Sequence, residues 1–174
     1  DRSLGGEYSE VAWDAVQTAD GGFLVAGEVS SPMGGDISEP NMSSNQYSGD
    51  YWLVKLSAQG TKQWDHRYGG QGDETAFGLC QLADGSLVLA GRSDSGISGH
   101  VSGPSRGGAD YWVLKLTAQG TKIWDHRFGS AGTDHLYDVL PAAGGGCLLL
   151  GYSTGGANGD KSEPNRGASY PDMR

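Results

Sequence analysis

Hydrophobic positions along the chain fall in short runs, each closed by glycine or a polar turn. Phe23-Leu24-Val25-Ala26-Gly27, Leu87-Val88-Leu89-Ala90-Gly91 and Cys147-Leu148-Leu149-Leu150-Gly151 are such runs, too short for helices. Ala19-Asp20-Gly21 and Ala83-Asp84-Gly85 precede the first two, and their glycines suit the positive φ of a tight hairpin. Trp13 to Thr18 and Phe77 to Leu82 read as the strands before those turns. Tyr51 to Leu56 and Tyr111 to Leu116 read as third strands, after a long polar loop. Gln59-Gly60 and Gln119-Gly120 then turn the chain into fourth strands, Lys62 to Tyr68 and Lys122 to Phe128. No apolar stripe of helical period extends over about ten residues, so strands are predicted throughout.

The pattern repeats. From Gly49 to Gly70 against Ala109 to Ser130, 15 of 22 positions are identical. An aromatic recurs as Trp13, Phe77 and Tyr137, with an acid three positions earlier at Glu10, Glu74 and Asp134. Four short strands per unit of about 60 residues describe a β-propeller blade, whereas β-solenoid coils are shorter. The expected fold is all-β: roughly three four-stranded antiparallel blades of a larger ring of about six to eight. Residues 1–6 would end a preceding blade, residues 7–70 and 71–130 form two blades, and residues 131–174 begin another. Asp1-Arg2-Ser3 aligns with Asp65-His66-Arg67, and Asp172-Met173-Arg174 with Asp50-Tyr51-Trp52, so both termini fall inside strands. The expectation is a fragment of a longer chain, with assembly of several copies into one ring as the alternative.

Composition narrows the class further. The chain has 31 glycines among 174 residues and 21 acids against 12 bases, a formal charge of -9. That balance argues against nucleic acid, which needs clustered Lys and Arg. No apolar stretch has the length of a membrane-spanning helix. Two cysteines in 174 residues argue against a disulfide scaffold and a four-ligand zinc site.

Asp50-Tyr51-Trp52-Leu53-Val54-Lys55-Leu56, Tyr68-Gly69-Gly70-Gln71-Gly72-Asp73-Glu74 and Ala83-Asp84-Gly85-Ser86-Leu87-Val88-Leu89-Ala90-Gly91 resemble a known repeat family. It is the β-propeller repeat of secreted and surface Bacteroidota proteins, often carried by chains with a type IX secretion sorting domain. Its members show variants of Asp-Tyr-Trp-Val-Val-Lys-Leu and Asp-Gly-Gly-Tyr-Ile-Val-Ala-Gly. The resemblance implies an extracytoplasmic location, secreted or at the outer cell surface. It covers essentially the whole chain and speaks to fold more than to function.

Candidate chemistry lies first in the loop between second and third strands. The matching family stretch is similar to Asp-Gly-Asp-Val-Ser-Gly-Asn, which resembles the alternating oxygen ligands of a calcium loop. Carried over, that gives Asp36, Ser38 and Asn41 in the first repeat and Asn158, Asp160, Ser162 and Asn165 in the third. The middle repeat has His100 in the aspartate slot. The other reading is that these short polar side chains bond their own backbone in turns.

Asp65-His66-Arg67 and Asp125-His126-Arg127 recur once per unit and alternate across a strand, so they read as architecture. Trp64 and Trp124 are expected between blades, and Cys80 and Cys147 in apolar slots of different blades. Asn45, Gln46, Tyr47 and Arg106 lie in the long loops, where a protein or glycan partner would be met. Besides a ligand, the implied partners are the remaining blades of the same chain or other copies. The functional expectation is a non-catalytic recognition or scaffold module. The alternative is a glycan- or peptide-acting hydrolase or lyase with its site in the central channel.

Overall fold

The computed structural model describes residues 2–165 and 172–173. Its described residues form three antiparallel sheets and no helix. In the first, β1 (Glu10–Gln17), β2 (Phe23–Val29), β3 (Asp50–Leu56) and β4 (Lys62–Tyr68) lie side by side in chain order. The second repeats it with β5 (Glu74–Gln81), β6 (Leu87–Ser93), β7 (Asp110–Leu116) and β8 (Lys122–Phe128). The third holds β9 (Asp134–Pro141), β10 (Cys147–Ser153) and β11 (Asp172–Met173). Asp172 pairs with Ser153 as Asp110 pairs with Ser93 and Asp50 with Val29, so the register of the repeat carries through. The turn glycines Gly21, Gly60, Gly85 and Gly120 all have positive φ, as the sequence predicts.

The first strands begin three residues before the predicted start at the aromatic. In each, the ladder slips at that aromatic: Trp13, Phe77 and Tyr137 are the unpaired residues of three equivalent β-bulges. A bulge breaks the strict alternation of a strand, so a period-two reading anchored on the aromatic stops there. Gly27, Gly91 and Gly151 sit opposite the bulges, where an added Cβ would collide with the carbonyl oxygens of Val11, Thr75 and His135. Only glycine admits so close an approach.

The sheets pack face to face, with the first strand of each following sheet laid across its predecessor. Leu24, Ala26, Tyr51 and Leu53 meet Ala76, Leu79, Leu87, Leu89 and Trp112 between the first two sheets. Val88, Ala90 and Val113 meet Leu136 and Val139 between the second and third. Trp64 and Trp124 pack, partly buried, against these two cores, in line with the expected inter-sheet role. Cys80 and Cys147 are free thiols on different, facing sheets, as expected, and pack into one shared core.

Buried polar residues explain why the repeat is so faithful. Arg67 Nε donates to Asp50 Oδ2 at 2.5 Å, and its other nitrogens donate to the carbonyls of Ser31 and Val29. Arg127 repeats this with Asp110 Oδ2 and the carbonyls of Ser93 and Ser95. Trp52 Nε1 donates to Asp65 Oδ2 at 2.9 Å, while Lys62 pairs with Asp65 Oδ1 at 2.6 Å. Trp112, Asp125 and Lys122 form the same trio. Burial pushes the Asp65 and Asp125 carboxyls up, but these hydrogen bonds outweigh it and leave both below the usual carboxylate range.

A second acid joins each arginine. Glu74 is fully buried and accepts from Ser93, Ser95 and the Gly70 amide. A Cβ added at Gly69 would strike both Asp50 Oδ1 and Glu74 Oε2, which places the two carboxylates side by side. Gly129 stands likewise between Asp110 and Asp134. Burial raises the Asp50, Glu74 and Asp110 carboxyls above their ordinary values. Neighbouring acids add to it: Asp73 for Asp50, Asp50 for Glu74, and Asp134 for Asp110.

Candidate functional site

The loop residues singled out by sequence hold the loops in place. Asp36 Oδ2 accepts from the Gly5 amide at 3.2 Å, and the Asp36 amide donates to the Gly5 carbonyl at 3.1 Å. Asp160 makes the same reciprocal pair with Gly129, at 3.1 and 2.9 Å. His100 does so with Gly69, its Nδ1 replacing the carboxylate as acceptor at 3.4 Å. The slot therefore requires an acceptor, which carboxylate and neutral imidazole both supply. Burial lowers the His100 pKa, consistent with a neutral ring. The preceding Gly35, Gly99 and Gly159 all have positive φ (58°, 53° and 60°) and turn the loop into this clasp.

The remaining loop oxygens follow suit. Ser38 donates its amide to Asp65, Asn41 bridges Ser43 and Ser48, and Asn158 Oδ1 accepts from the Ala131 amide. Asn165 Nδ2 donates to the Thr154 carbonyl, and Ser162 lines a small cleft with Asp160 and Lys161. Asp160 also pairs with Arg106 at 2.7 Å. Among the described residues, no group of three His, Cys, Asp or Glu side chains is arranged to hold a metal ion. Asn45 and Tyr47 fold into the same loop through a side-chain–backbone turn, and the Tyr47 ring lies against Tyr8.

A different surface draws residues from all three repeats. Trp13 and Tyr137, the bulge residues of β1 and β9, are 52% and 59% exposed. Both line an open cleft of about 640 Å³ with Glu28, Thr75, Phe77, Arg92, Thr133, His135 and Tyr152. The rings follow one another across sheet boundaries: Trp13 to Phe77 at 5.2 Å, Phe77 to His135 at 4.7 Å, His135 to Tyr137 at 4.9 Å. His135 also stacks on Tyr152 at 5.4 Å with planes 9° apart. Bulges commonly re-aim a side chain, and here all three turn an aromatic out of the packed interface into the cleft.

The polar members of the cleft do not repeat. Glu28, Arg92 and Tyr152 are equivalent positions, each paired opposite the residue after the third-strand aspartate or its counterpart. Val11, Thr75 and His135 are likewise equivalent, two residues before the bulge. Glu28 Oε2 accepts from Thr75 at 2.9 Å. Arg92, paired with Thr75 and Tyr111 along the ladder, lines this cleft close enough for its charge to act on His135. Burial first, and the Arg92 charge second, lower the His135 pKa and keep the ring neutral near pH 7. The arrangement offers flat aromatic faces flanked by one carboxylate and one guanidinium.

Fold and cleft together define a repeat protein of stacked antiparallel sheets, two of four strands and one of three among the described residues, with an exposed aromatic surface. No family model matches the chain. It is 28% identical over 160 residues to the regulatory protein FlaEY of Caulobacter vibrioides, a match spanning 89% of this chain and 17% of that protein. The chain thus spans about a sixth of the length of the curated relative it matches.

Proposed function

We propose that the three sheets are blades of a β-propeller that serves as a non-catalytic recognition module, and that the aromatic cleft is its ligand-binding surface. The propeller reading is supported by the stacking, in which the first strands of successive sheets lie next to one another as the innermost strands of a ring would. It is also supported by the two outer faces of the stack. Phe23 on one side, and Leu140 and Leu148 on the other, are exposed where their counterparts between sheets pack. Further blades, of this chain or of other copies, would cover them. The Bacteroidota resemblance supports a secreted or surface location, and the FlaEY match is to a protein named as regulatory.

The observation that carries the recognition reading is the contrast between a repeated frame and a non-repeated cleft. A hydrolase acting on glycosides would place two carboxyls about 5–9.5 Å apart around the scissile bond. Glu28 is the single acid among the described residues lining the cleft. The test is a joint glycan and peptide array probed with the wild-type protein and with Trp13→Ala/Tyr137→Ala, with product release followed in parallel. Binding that is lost in the double variant, with no turnover of the bound ligand, is expected. Turnover of any bound ligand, or binding indifferent to both aromatics, would overturn the reading.

A further inference from the structure

Resting on the recognition reading, the geometry points to a neutral saccharide chain as the ligand of the aromatic cleft, stacked on Trp13 and Tyr137 and hydrogen-bonded by Glu28 and Arg92. Three features of the cleft choose this class. The first is its exposed aromatic faces. Trp13 and Tyr137 remain more than half exposed although large apolar rings gain most by burial, and their faces carry the negative side of the ring quadrupole. A pyranose presents one face of weakly positive C–H bonds to such a ring. The run of rings from Trp13 to Tyr137 crosses three repeats, so it suits an extended chain better than a single small molecule.

The second feature is charge. Glu28 and Arg92 stand in the same cleft without forming an ion pair with each other, so the site holds one unit of each sign. An acidic polymer would bring repeated negative charge against Glu28, and a fixed cation would meet Arg92. Hydroxyls both donate and accept, so a neutral sugar satisfies the carboxylate and the guanidinium at once.

The third feature separates saccharide from peptide. A peptide adding to a sheet needs a regular unpaired edge, and the bulges at Trp13, Phe77 and Tyr137 interrupt the ladder of each first strand. A proline-rich peptide in an aromatic groove offers carbonyl acceptors and few donors. It would bring the Glu28 carboxylate no donor beyond the Thr75 hydroxyl it already holds, whereas a saccharide would.

The experiment is calorimetric titration of the protein with neutral hexasaccharides of glucose, mannose, xylose and N-acetylglucosamine. A galacturonate hexamer and a proline-rich decapeptide form the other arms. At least one neutral hexasaccharide should bind, with an affinity unchanged between low and high salt. Trp13→Ala and Tyr137→Ala should each weaken it about tenfold or more, and Glu28→Gln and Arg92→Met about threefold to tenfold. Ile123→Thr, on the exposed outer strand β8, should leave it unaltered, and circular dichroism of each variant checks the fold. Binding of the galacturonate hexamer alone, or of the peptide alone, would overturn the saccharide assignment while leaving recognition standing. No binding by any neutral hexasaccharide at about 10 mM would also overturn it. Hydrolysis of a bound hexasaccharide would overturn the recognition reading itself.

Discussion

Replacing Asp50 by asparagine should leave the protein as stable at neutral pH as the wild type, or more so by about 1 kcal/mol. That is an unusual expectation for half of a fully buried ion pair, whose loss typically costs about 3–5 kcal/mol. The reason lies in the charge count. Asp50, Glu74 and Arg67 are all fully buried, two acids to one base, so ionising both acids leaves an uncompensated charge. Asp50 Oδ2 accepts from Arg67 and from the Met42 amide, while Asp50 Oδ1 has no partner and faces Glu74. Asparagine keeps the accepting oxygen and places an amide donor at the orphaned position, toward Glu74 Oε2. Asp50→Ala instead strips the arginine of its counter-ion and should lose about 3–5 kcal/mol.

The pH dependence separates this account from a generic packing effect. Both acids are raised by burial in the folded state, so the folded protein binds more protons than the unfolded chain just above the ordinary carboxylate range. Stability from this cluster is therefore greatest at low pH. It falls as pH rises from about 4 through the raised values, with a slope of at most about 1.4 kcal/mol per pH unit for each acid. Asp50→Asn removes one of the two titrations and the repulsion on the other, so its decline should be shallower. Urea denaturation of wild type, Asp50→Asn and Asp50→Ala between about pH 4.5 and 8 measures all three slopes. An asparagine variant as damaged as the alanine one, or with an undiminished pH slope, would refute this account of two buried acids around one arginine.

The remaining expectations concern the frame. Gly91→Ala should destabilise by about 2 kcal/mol or more in thermal unfolding, because its methyl meets the Thr75 carbonyl rather than a movable side chain. Asp36→His should retain most stability and Asp36→Ala should lose about 1 kcal/mol, since His100 already performs the clasp in the second repeat. Cys80, whose thiol burial pushes up to about 11, should react with thiol reagents at the global unfolding rate at pH 8, measured by mass spectrometry. Rapid native-state labelling would contradict the shared core around it.

The framework was legible because its determinants are local and repeated. Lys62 to Tyr68 and Lys122 to Phe128 are the observed β4 and β8, and Gly60 and Gly120 turn as their sequence context predicts. The aspartate slot of the loop was harder. Asp36, His100 and Asp160 look like ligands in one dimension, because the glycine amides they bind lie 31 residues away. An acceptor for a distant backbone amide and an oxygen ligand for a cation have the same composition, so the sequence shows neither which amide is held nor where.

The cleft was hidden for a related reason, although its signal lay within the chain. Aligning the repeats shows Glu28, Arg92 and Tyr152 differing in one column, and Val11, Thr75 and His135 in another, beside columns that scarcely change. A column that differs in every repeat carries no folding requirement common to all three, so its residues are free to answer to something outside the frame. Sequence alone leaves such columns scattered about 60 residues apart. What unites them is the stacking of the sheets, which brings the equivalent edge of each repeat to one surface, and the bulge, which turns an aromatic onto that surface each time. A repeat architecture thereby separates two demands on one sequence. The buried Asp–Arg and Trp–Asp–Lys sets must recur for the sheets to pack, whereas the residues at the cleft need only avoid disturbing them. Divergence among repeats at this surface therefore leaves the buried frame intact.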